Sequence, residues 1–486
     1  MGASGAKVAI HYASNAPPQL VQEQLGKLGL QRIAVVEQFH MAYAEMPLSA
    51  SSHVAALPWV LAVNLQAPPA QMNNYTGRLL GRAATLQKEA SLGGRSLLGR
   101  GVKVGIWDGN VTGHVDFGNR VHAQEFETPH EHGVHVAGTA LGAGMVDPDG
   151  EGMAPKAEAW TYNFNRGSNG LSAQQEMALA RDQFGITLTQ NSYGISLESI
   201  CAYLKGIGYF DSDYSLDLLA YYYPTLTHVF AAGNDQIYCE KNTEELWGAT
   251  GYGTATTRAK NAIHVGAVTH TGVLTEFSSL GPQDDGRMFP SICAKGYNVW
   301  STGPGNDYMY MNGTSQTCPT VTGTAALLSE RYAQLHQGQE IPSDLLRAIL
   351  ANTATDAGRP GPDFQYGFGI MNGEKAAIAL ENQYHAQDAV ANGENKQLTI
   401  QIPAGCQELR VMLVWNDPPS VKADEWGDRT LVNDLDLSLT VGSTNYLPWV
   451  CDPTKGNLLK NAVRNSDHLN NIEQITLTAH ELQGAR

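Results

Sequence analysis

Tyr310-Met311-Asn312-Gly313-Thr314-Ser315-Gln316-Thr317-Cys318-Pro319-Thr320-Val321-Thr322-Gly323 runs directly into an apolar, helix-favouring stretch, residues 324–335. A tight Gly-Thr turn that delivers a serine onto the start of a long helix aims its hydroxyl outward, into the positive field of unpaired backbone N–H groups. A nucleophile is prepared in this way. Taken alone, the same residues read as a serine N-cap, the commoner use of serine at a helix start.

Two upstream segments decide between these readings. Val102-Lys103-Val104-Gly105-Ile106-Trp107-Asp108-Gly109 is an apolar run ending in an acid, and His132-Gly133-Val134-His135-Val136-Ala137-Gly138-Thr139 is a histidine opening a small-residue helix. The order Asp, His, Ser is the one known for subtilisin itself. With Ala231-Ala232-Gly233-Asn234 as a fourth block, the chain resembles the subtilisin-like serine proteases (subtilases, peptidase family S8). The resemblance implies roles residue by residue. Ser315 is the nucleophile, His132 its base, Asp108 the carboxylate that orients the imidazole, and Asn234 the oxyanion donor alongside the Ser315 N–H. It also assigns Ser192, Tyr193, Gly194 and Gly233 to substrate binding, and leaves His135 as a packed helix residue. Two departures from the family pattern, Asp108-Gly109-Asn110 and Gln316-Thr317-Cys318, remove no catalytic group. Cys318 is expected inside the helix, where burial makes a thiol inert. Asn110 and Asn312 match glycosylation sequons, but a glycan at either would crowd the site.

The 486 residues exceed one ordinary domain. A hydrophobic fraction of 42% with 16% charged residues suits large buried cores rather than disorder. A net charge of -16 argues against nucleic acid or an anionic membrane as partner. No apolar run approaches the roughly 20 residues needed to span a bilayer. The expected partners are polypeptide substrates and the chain's own propeptide, and the expected state is a monomer. The first residues carry no basic region or apolar core of an export signal, so residues 1–6 read as a leader or trimmed end. Localisation at the cell surface or in the medium follows from the resemblance alone.

The predicted fold is α/β, a largely parallel subtilisin-like sheet flanked by helices, between an α+β unit and an all-β unit. Residues 7–66 give a β-α-β-β-α-β pattern: strands near Val8 and Ile10, at 33–39, 41–46 and 59–65, and helices around Val21, Leu25 and Leu28 and over 49–57. By resemblance this is an inhibitory propeptide domain, a retained accessory domain being the alternative, followed by a linker at 67–72. Residues 73–385 alternate strands and helices as the catalytic domain, with Asp108, Ser192 and Asn234 just past strand ends, where parallel sheets hold ligands. Residues 386–486 carry short alternating segments at 397–402, 408–415, 434–441 and 472–477. They resemble the jelly-roll β-domain of some secreted subtilases, and few residues remain for its closing strands, which reads as a shortened end.

Six cysteines allow fifteen pairings. Cys201 with Cys239 and Cys406 with Cys451 are favoured because each pair staples one domain, with buried free thiols as the alternative. The chemistry requires no cofactor. Structural calcium is suggested by the resemblance, with Asp434, Asp436, Asp467, Asn470 and Glu473, or Asp147-Pro148-Asp149-Gly150, as carboxylate-rich candidates. Together these readings point to a secreted serine endopeptidase made as a proenzyme. A binding protein or adhesin built on an inactive protease fold is the rival from another class, and a peptide ligase or narrow processing protease the nearer one.

Overall fold

The computed structural model describes residues 6–65 and 75–483, apart from 112, 126–127, 166–169, 199, 202–203, 205–207, 256 and 422–424. Two compact units divide after Met72.

The first unit comprises β1 (Ala6–Tyr12), α1 (Pro18–Lys27), β2 (Gln31–Val36), β3 (Met41–Met46), α2 (Ser51–Ala55) and β4 (Val60–Leu65). Its antiparallel sheet has the order β2-β3-β1-β4. Alternate residues Val8, Ile10 and Tyr12 of β1 and Ala42, Ala44 and Met46 of β3 share one core with Val21 and Leu25 of α1. Each large aliphatic side chain so buried stabilises the unit by about 1.5–3 kcal/mol. The sequence pattern is recovered except that the strand expected at 33–39 ends at Val36 and turns into a 3₁₀ helix, with His40 in the left-handed region.

The second unit continues through α3 (Tyr75–Leu80), α4 (Ala83–Gln87), β5 (Lys103–Asp108), β6 (Val121–Ala123), α5 (Glu131–Leu141), β7 (Glu158–Asn163), α6 (Ala173–Phe184), β8 (Leu188–Asn191), α7 (Asp211–Tyr222), β9 (Thr227–Ala231), α8 (Glu240–Trp247), β10 (Ala262–Val268) and β11 (Ile292–Lys295). These strands form one seven-stranded sheet, order β11-β10-β9-β8-β5-β7-β6, parallel at every pairing. Fully buried side chains along β5, β8, β9 and β10 fit a sheet covered on both faces. At the start of α6, Ser172 and Gln175 form a capping box, each side chain accepting from the other's backbone N–H.

Next come the hairpin β12 (Val299–Gly303) and β13 (Asp307–Met311), then α9 (Thr314–Leu335), α10 (Ser343–Asn352) and α11 (Gly373–Glu381). Helix α9 crosses the sheet with nearly all of its first sixteen residues buried. Its cluster includes Cys318, Val321, Ala325 and Leu328 with Ile106, Val134, Val229 and Val265.

The C-terminal region holds small antiparallel sheets: β14 (Glu408–Val414) with β19 (Ile472–Thr478), β15 (Leu439–Val441) with β16 (Thr444–Tyr446), and β17 (Trp449–Val450) with β18 (Val463–Arg464). The strand expected over 397–402 does not form: those residues are irregular and mostly exposed, because β14 pairs with β19 alone and offers them no second edge. The segment expected over 434–441 keeps only its last three residues as β15.

Cys201 and Cys239 form a disulfide. Cys406 and Cys451 do not, and both are free thiols. Each belongs to a different apolar cluster, Cys451 beside Trp247 and Leu458, and Cys406 beside Val441 and Leu477. Their thiols donate instead to the Pro362 and Glu408 carbonyls.

Candidate active site

Parallel strands end together, and this brings the sequence motifs to one sheet edge. Asp108 is the last residue of β5, Ser192 follows β8 directly, and Asn234 lies three residues past β9. His132 is the second residue of α5 and Ser315 the second of α9. A cleft of about 620 Å³ is lined by all five, together with Tyr193, Gly194 and Gly233.

The His-Gly pairing in α5 has a steric reason. A Cβ at Gly133 would collide with the Gly109 carbonyl, so only glycine lets the helix start against the end of β5. That approach brings His132 Nδ1 to 2.6 Å from Asp108 Oδ1, while the Gly109 N–H donates to the same oxygen at 2.7 Å. Asp108 is buried, whereas the His132 side chain keeps 29% of its surface. Burial opposes a charged imidazole here. The Asp108 hydrogen bond and the charges of Asp108 and Glu131 outweigh it and raise the His132 pKa above its ordinary value. His135 is the opposite case: fully buried, with Nε2 3.0 Å from the Val299 carbonyl, it is driven down to about 4 chiefly by desolvation. His130 caps α5, its Nδ1 accepting from the His132 N–H at 3.2 Å.

Ser315 is not an N-cap. That position is Gly313, at φ +146°, a conformation that side-chain-bearing residues rarely adopt. Four residues after the serine, Pro319 has no N–H to give the Ser315 carbonyl. The orphaned oxygen accepts instead from Ser192 Oγ at 2.8 Å, and Ser192 Oγ accepts from Gln190 Nε2 at 2.6 Å. Ser315 Oγ in turn donates to the Ser192 carbonyl at 3.3 Å. No hydrogen bond joins Ser315 Oγ to His132 among the described residues. Catalytic hydrogen bonds in apo sites are often long and tighten only around substrate. Cys318, one turn on, is fully buried, and burial pushes its thiol up to about 12.

Asn234 is exposed to the cleft with its amide orientation fixed from behind. Oδ1 accepts from the Thr314 N–H at 2.8 Å and from Thr314 Oγ1 at 3.0 Å, so Nδ2 is the donor left for a ligand. Thr314 Oγ1 also accepts from the Gly233 N–H at 3.1 Å. The reading from sequence does not single out Thr314, although the Gly-Thr turn it names contains it.

On the cleft wall, the Tyr193 ring stacks on Phe164 at 5.0 Å and its hydroxyl donates to Asn191 Oδ1 at 3.3 Å. Asp235, buried just beyond Asn234, accepts from the Leu197 N–H at 2.9 Å and from Ser196 Oγ, tying the 192–197 wall to the 233–235 turn. Phe164 and Asp235 carry no motif that would have marked them.

Several of the acids proposed for calcium have protein partners, while Glu473 Oε1 is buried without one among the described residues. Asp434 Oδ2 takes Arg429 at 2.8 Å and His468 at 3.0 Å, Asp467 takes the N–H groups of Leu469 and Asn470, and Asn470 Oδ1 accepts from the Met288 N–H. Glu473 Oε2 accepts from the Leu437 N–H at 2.6 Å. Asp147 accepts from the Asp149 N–H and from Trp300 Nε1. Among the described residues no cluster of three or more His, Cys, Asp or Glu side chains could hold a metal ion. No helix there is long and apolar enough to cross a membrane.

Comparison with known proteins matches residues 99–369 to the model of the Subtilase family, a span that contains Asp108, His132, Asn234 and Ser315. The chain is 31% identical to Subtilisin DY of Bacillus licheniformis over 289 residues, 57% of this chain and 92% of that protein. It is 30% identical to Subtilisin BL of Lederbergia lenta over 297 residues, 58% and 93% of the two chains. Alkaline elastase YaB of Bacillus sp. (strain YaB) is 37% identical over 119 residues, 24% of this chain and 28% of that one. The parallel sheet, the motifs gathered at its edge and these similarities lead to one conclusion: the chain belongs to the subtilase family of serine endopeptidases.

Proposed function

We propose that this protein is an exported endopeptidase, made as a proenzyme, that cleaves polypeptides through an acyl-enzyme on Ser315. The observation that carries the reading is the 2.6 Å contact of His132 Nδ1 with Asp108 Oδ1, in a cleft that Ser315 and Asn234 also line. With Nδ1–H engaged, His132 Nε2 is the free base. It takes the Ser315 Oγ proton as Oγ bonds to the scissile carbonyl carbon. The resulting oxyanion is held by Asn234 Nδ2 and the Ser315 N–H. As the intermediate collapses, the imidazolium gives its proton to the leaving amine, and the acyl group remains on Ser315. Water then attacks by the same route in reverse order and frees the acid.

The segment Ser192-Tyr193-Gly194 pairs with extended substrate backbone, and the Tyr193–Phe164 stack forms an apolar wall for a side chain. The first unit, with its own core and the exposed Leu61 and Leu65 on its last strand, acts as the propeptide, and a C-terminal β-domain of the jelly-roll kind braces the enzyme.

Labelling with a fluorophosphonate probe tests this, comparing the chain with Ser315→Ala before and after limited proteolysis between residues 64 and 74. Labelling that requires both Ser315 and the cut is the expected result. Labelling without a cut removes the proenzyme part, and no labelling in any form removes the catalytic assignment.

A further inference from the structure

A cavity of about 40 Å³ lies where β10, β11 and α10 meet the start of β19, outside the cleft. It has room for roughly two or three water-sized particles. Its lining holds four basic side chains, Lys260, His264, Arg287 and Arg347, and no carboxylate. All four are at least nine-tenths buried.

Donor bookkeeping separates them. Lys260 Nζ spends its three protons on Asp417 Oδ2, the Pro418 carbonyl and the Thr430 carbonyl, at 2.7, 2.6 and 2.7 Å. Arg287 uses Nε on Asp285 and Nη2 on the Arg258 carbonyl, and its Nη1 makes no hydrogen bond among the described residues. Arg347 donates from Nη1 to Asn416 Oδ1 and the Trp415 carbonyl and from Nη2 to the Lys260 carbonyl, and its Nε makes no hydrogen bond among the described residues. Among the described residues no carboxylate forms an ion pair with Arg347, although Asp344, Asp217 and Asp417 act on it from farther away. His264 Nε2 is buried without a partner.

Water fills such a space poorly. Each water that accepts from these N–H groups has two protons of its own to place, and among the described residues Gln283 Oε1 and Asn471 Oδ1 are the side-chain amide oxygens on the wall that take no hydrogen bond. An anion accepts from every donor and has nothing to place. The basic side chains also act on one another: after burial, the charges of Arg287, Arg347 and Arg258 drive His264 down to about 3.

We propose that this cavity is a binding site for a small monatomic anion, chloride, held by Arg287 Nη1, Arg347 Nε and the Nε2–H of His264. Bound there, the anion clamps the Asn470–Ile472 approach to β19 onto the edge of the parallel sheet.

The test uses the full chain carrying Ser315→Ala, to prevent self-digestion. Its melting temperature is followed as sodium chloride replaces sodium gluconate at fixed ionic strength and pH. A saturable rise of about 2 °C or more is expected, since a ligand that binds only the folded state stabilises it by mass action. Crystals soaked in bromide should show an anomalous peak between His264, Arg287 and Arg347, and Arg347→Met should abolish the chloride response. Should that variant fail to fold, the bromide peak decides. Equal melting in both salts overturns the proposal, as does a chloride response without bromide in this cavity.

Discussion

Thr314 grips Asn234 from behind, its backbone N–H and its hydroxyl both donating to Asn234 Oδ1, at 2.8 and 3.0 Å. The side-chain amide is therefore aimed before substrate arrives, so little reorganisation is left for the moment when charge develops. Thr314→Val keeps the shape and the backbone donor but loses the hydroxyl. We expect a roughly 10-fold fall in kcat with KM unchanged. Asn234→Leu should lose about 10²–10³-fold, a magnitude known from subtilisin rather than obtained from this geometry. Titrated active sites and initial rates on a peptide substrate check both, and an unchanged kcat in Thr314→Val would remove the positioning role.

The raised His132 pKa sets the acid limb of activity. Only the neutral imidazole can accept the Ser315 proton, so kcat/KM rises with pH as His132 deprotonates, with its midpoint above the ordinary value near 6.5. Glu131 contributes to that elevation, so Glu131→Gln should move the midpoint to lower pH. The linked stability has the matching sign. A pKa raised on folding makes the His132–Asp108 pair stabilising below pH ~6.5, a contribution lost as pH climbs through the folded value. A pH–rate profile of both proteins decides the matter, and a limb that stays put in the variant would contradict it.

The C-terminal region should be strongly coupled to the catalytic core. Lys260 and Asp417, 157 residues apart, form an ion pair at 2.7 Å with neither side chain exposed. Asp417 also accepts from the Val432 and Asn433 N–H groups, each at 2.8 Å. Lys260→Met leaves that carboxylate buried without its cation, which costs about 3–5 kcal/mol. Adding Asp417→Asn should recover part of the loss. Urea unfolding on the Ser315→Ala background measures both, and a single-variant loss under ~1 kcal/mol would show that the two regions unfold separately.

Cys201 and Cys239 close a loop of 38 residues that begins beside the cleft wall and ends just beyond Asp235. Replacing both by alanine should destabilise the protein by up to about 3–4 kcal/mol through the entropy restored to the unfolded chain. Since Asp235 holds the Leu197 N–H on the same wall, KM should rise more than kcat falls. Steady-state kinetics with and without reductant provide the check; a pure kcat effect would place the bond's influence elsewhere.

Four short motifs made the candidate site legible, because each packs its chemistry into a few consecutive residues: an acid ending an apolar run, a His-Gly pair opening a small-residue helix, Gly-Asn after a strand, and Gly-Thr-Ser before a helix. The alternation of strands and helices likewise announced a parallel sheet and thereby the edge where those motifs meet. The sequence was mute where a partner comes from far along the chain. Thr314 matters because Asn234 lies beside it, and the Ser315 carbonyl is free for Ser192 because Pro319 withholds an N–H, a consequence visible only once the helix is drawn. An alternating pattern at 397–402 promised a strand, but a strand exists only where a neighbour offers its hydrogen bonds. Which acids close in sequence take donors from the protein, as Asp147, Asp434 and Asp467 do, is set by distant residues, and two cysteines in one presumed domain folded into separate clusters. Local propensity and motif spacing fix which elements form and what chemistry they carry; pairing across hundreds of residues, governed by burial and hydrogen-bond satisfaction, settled the rest.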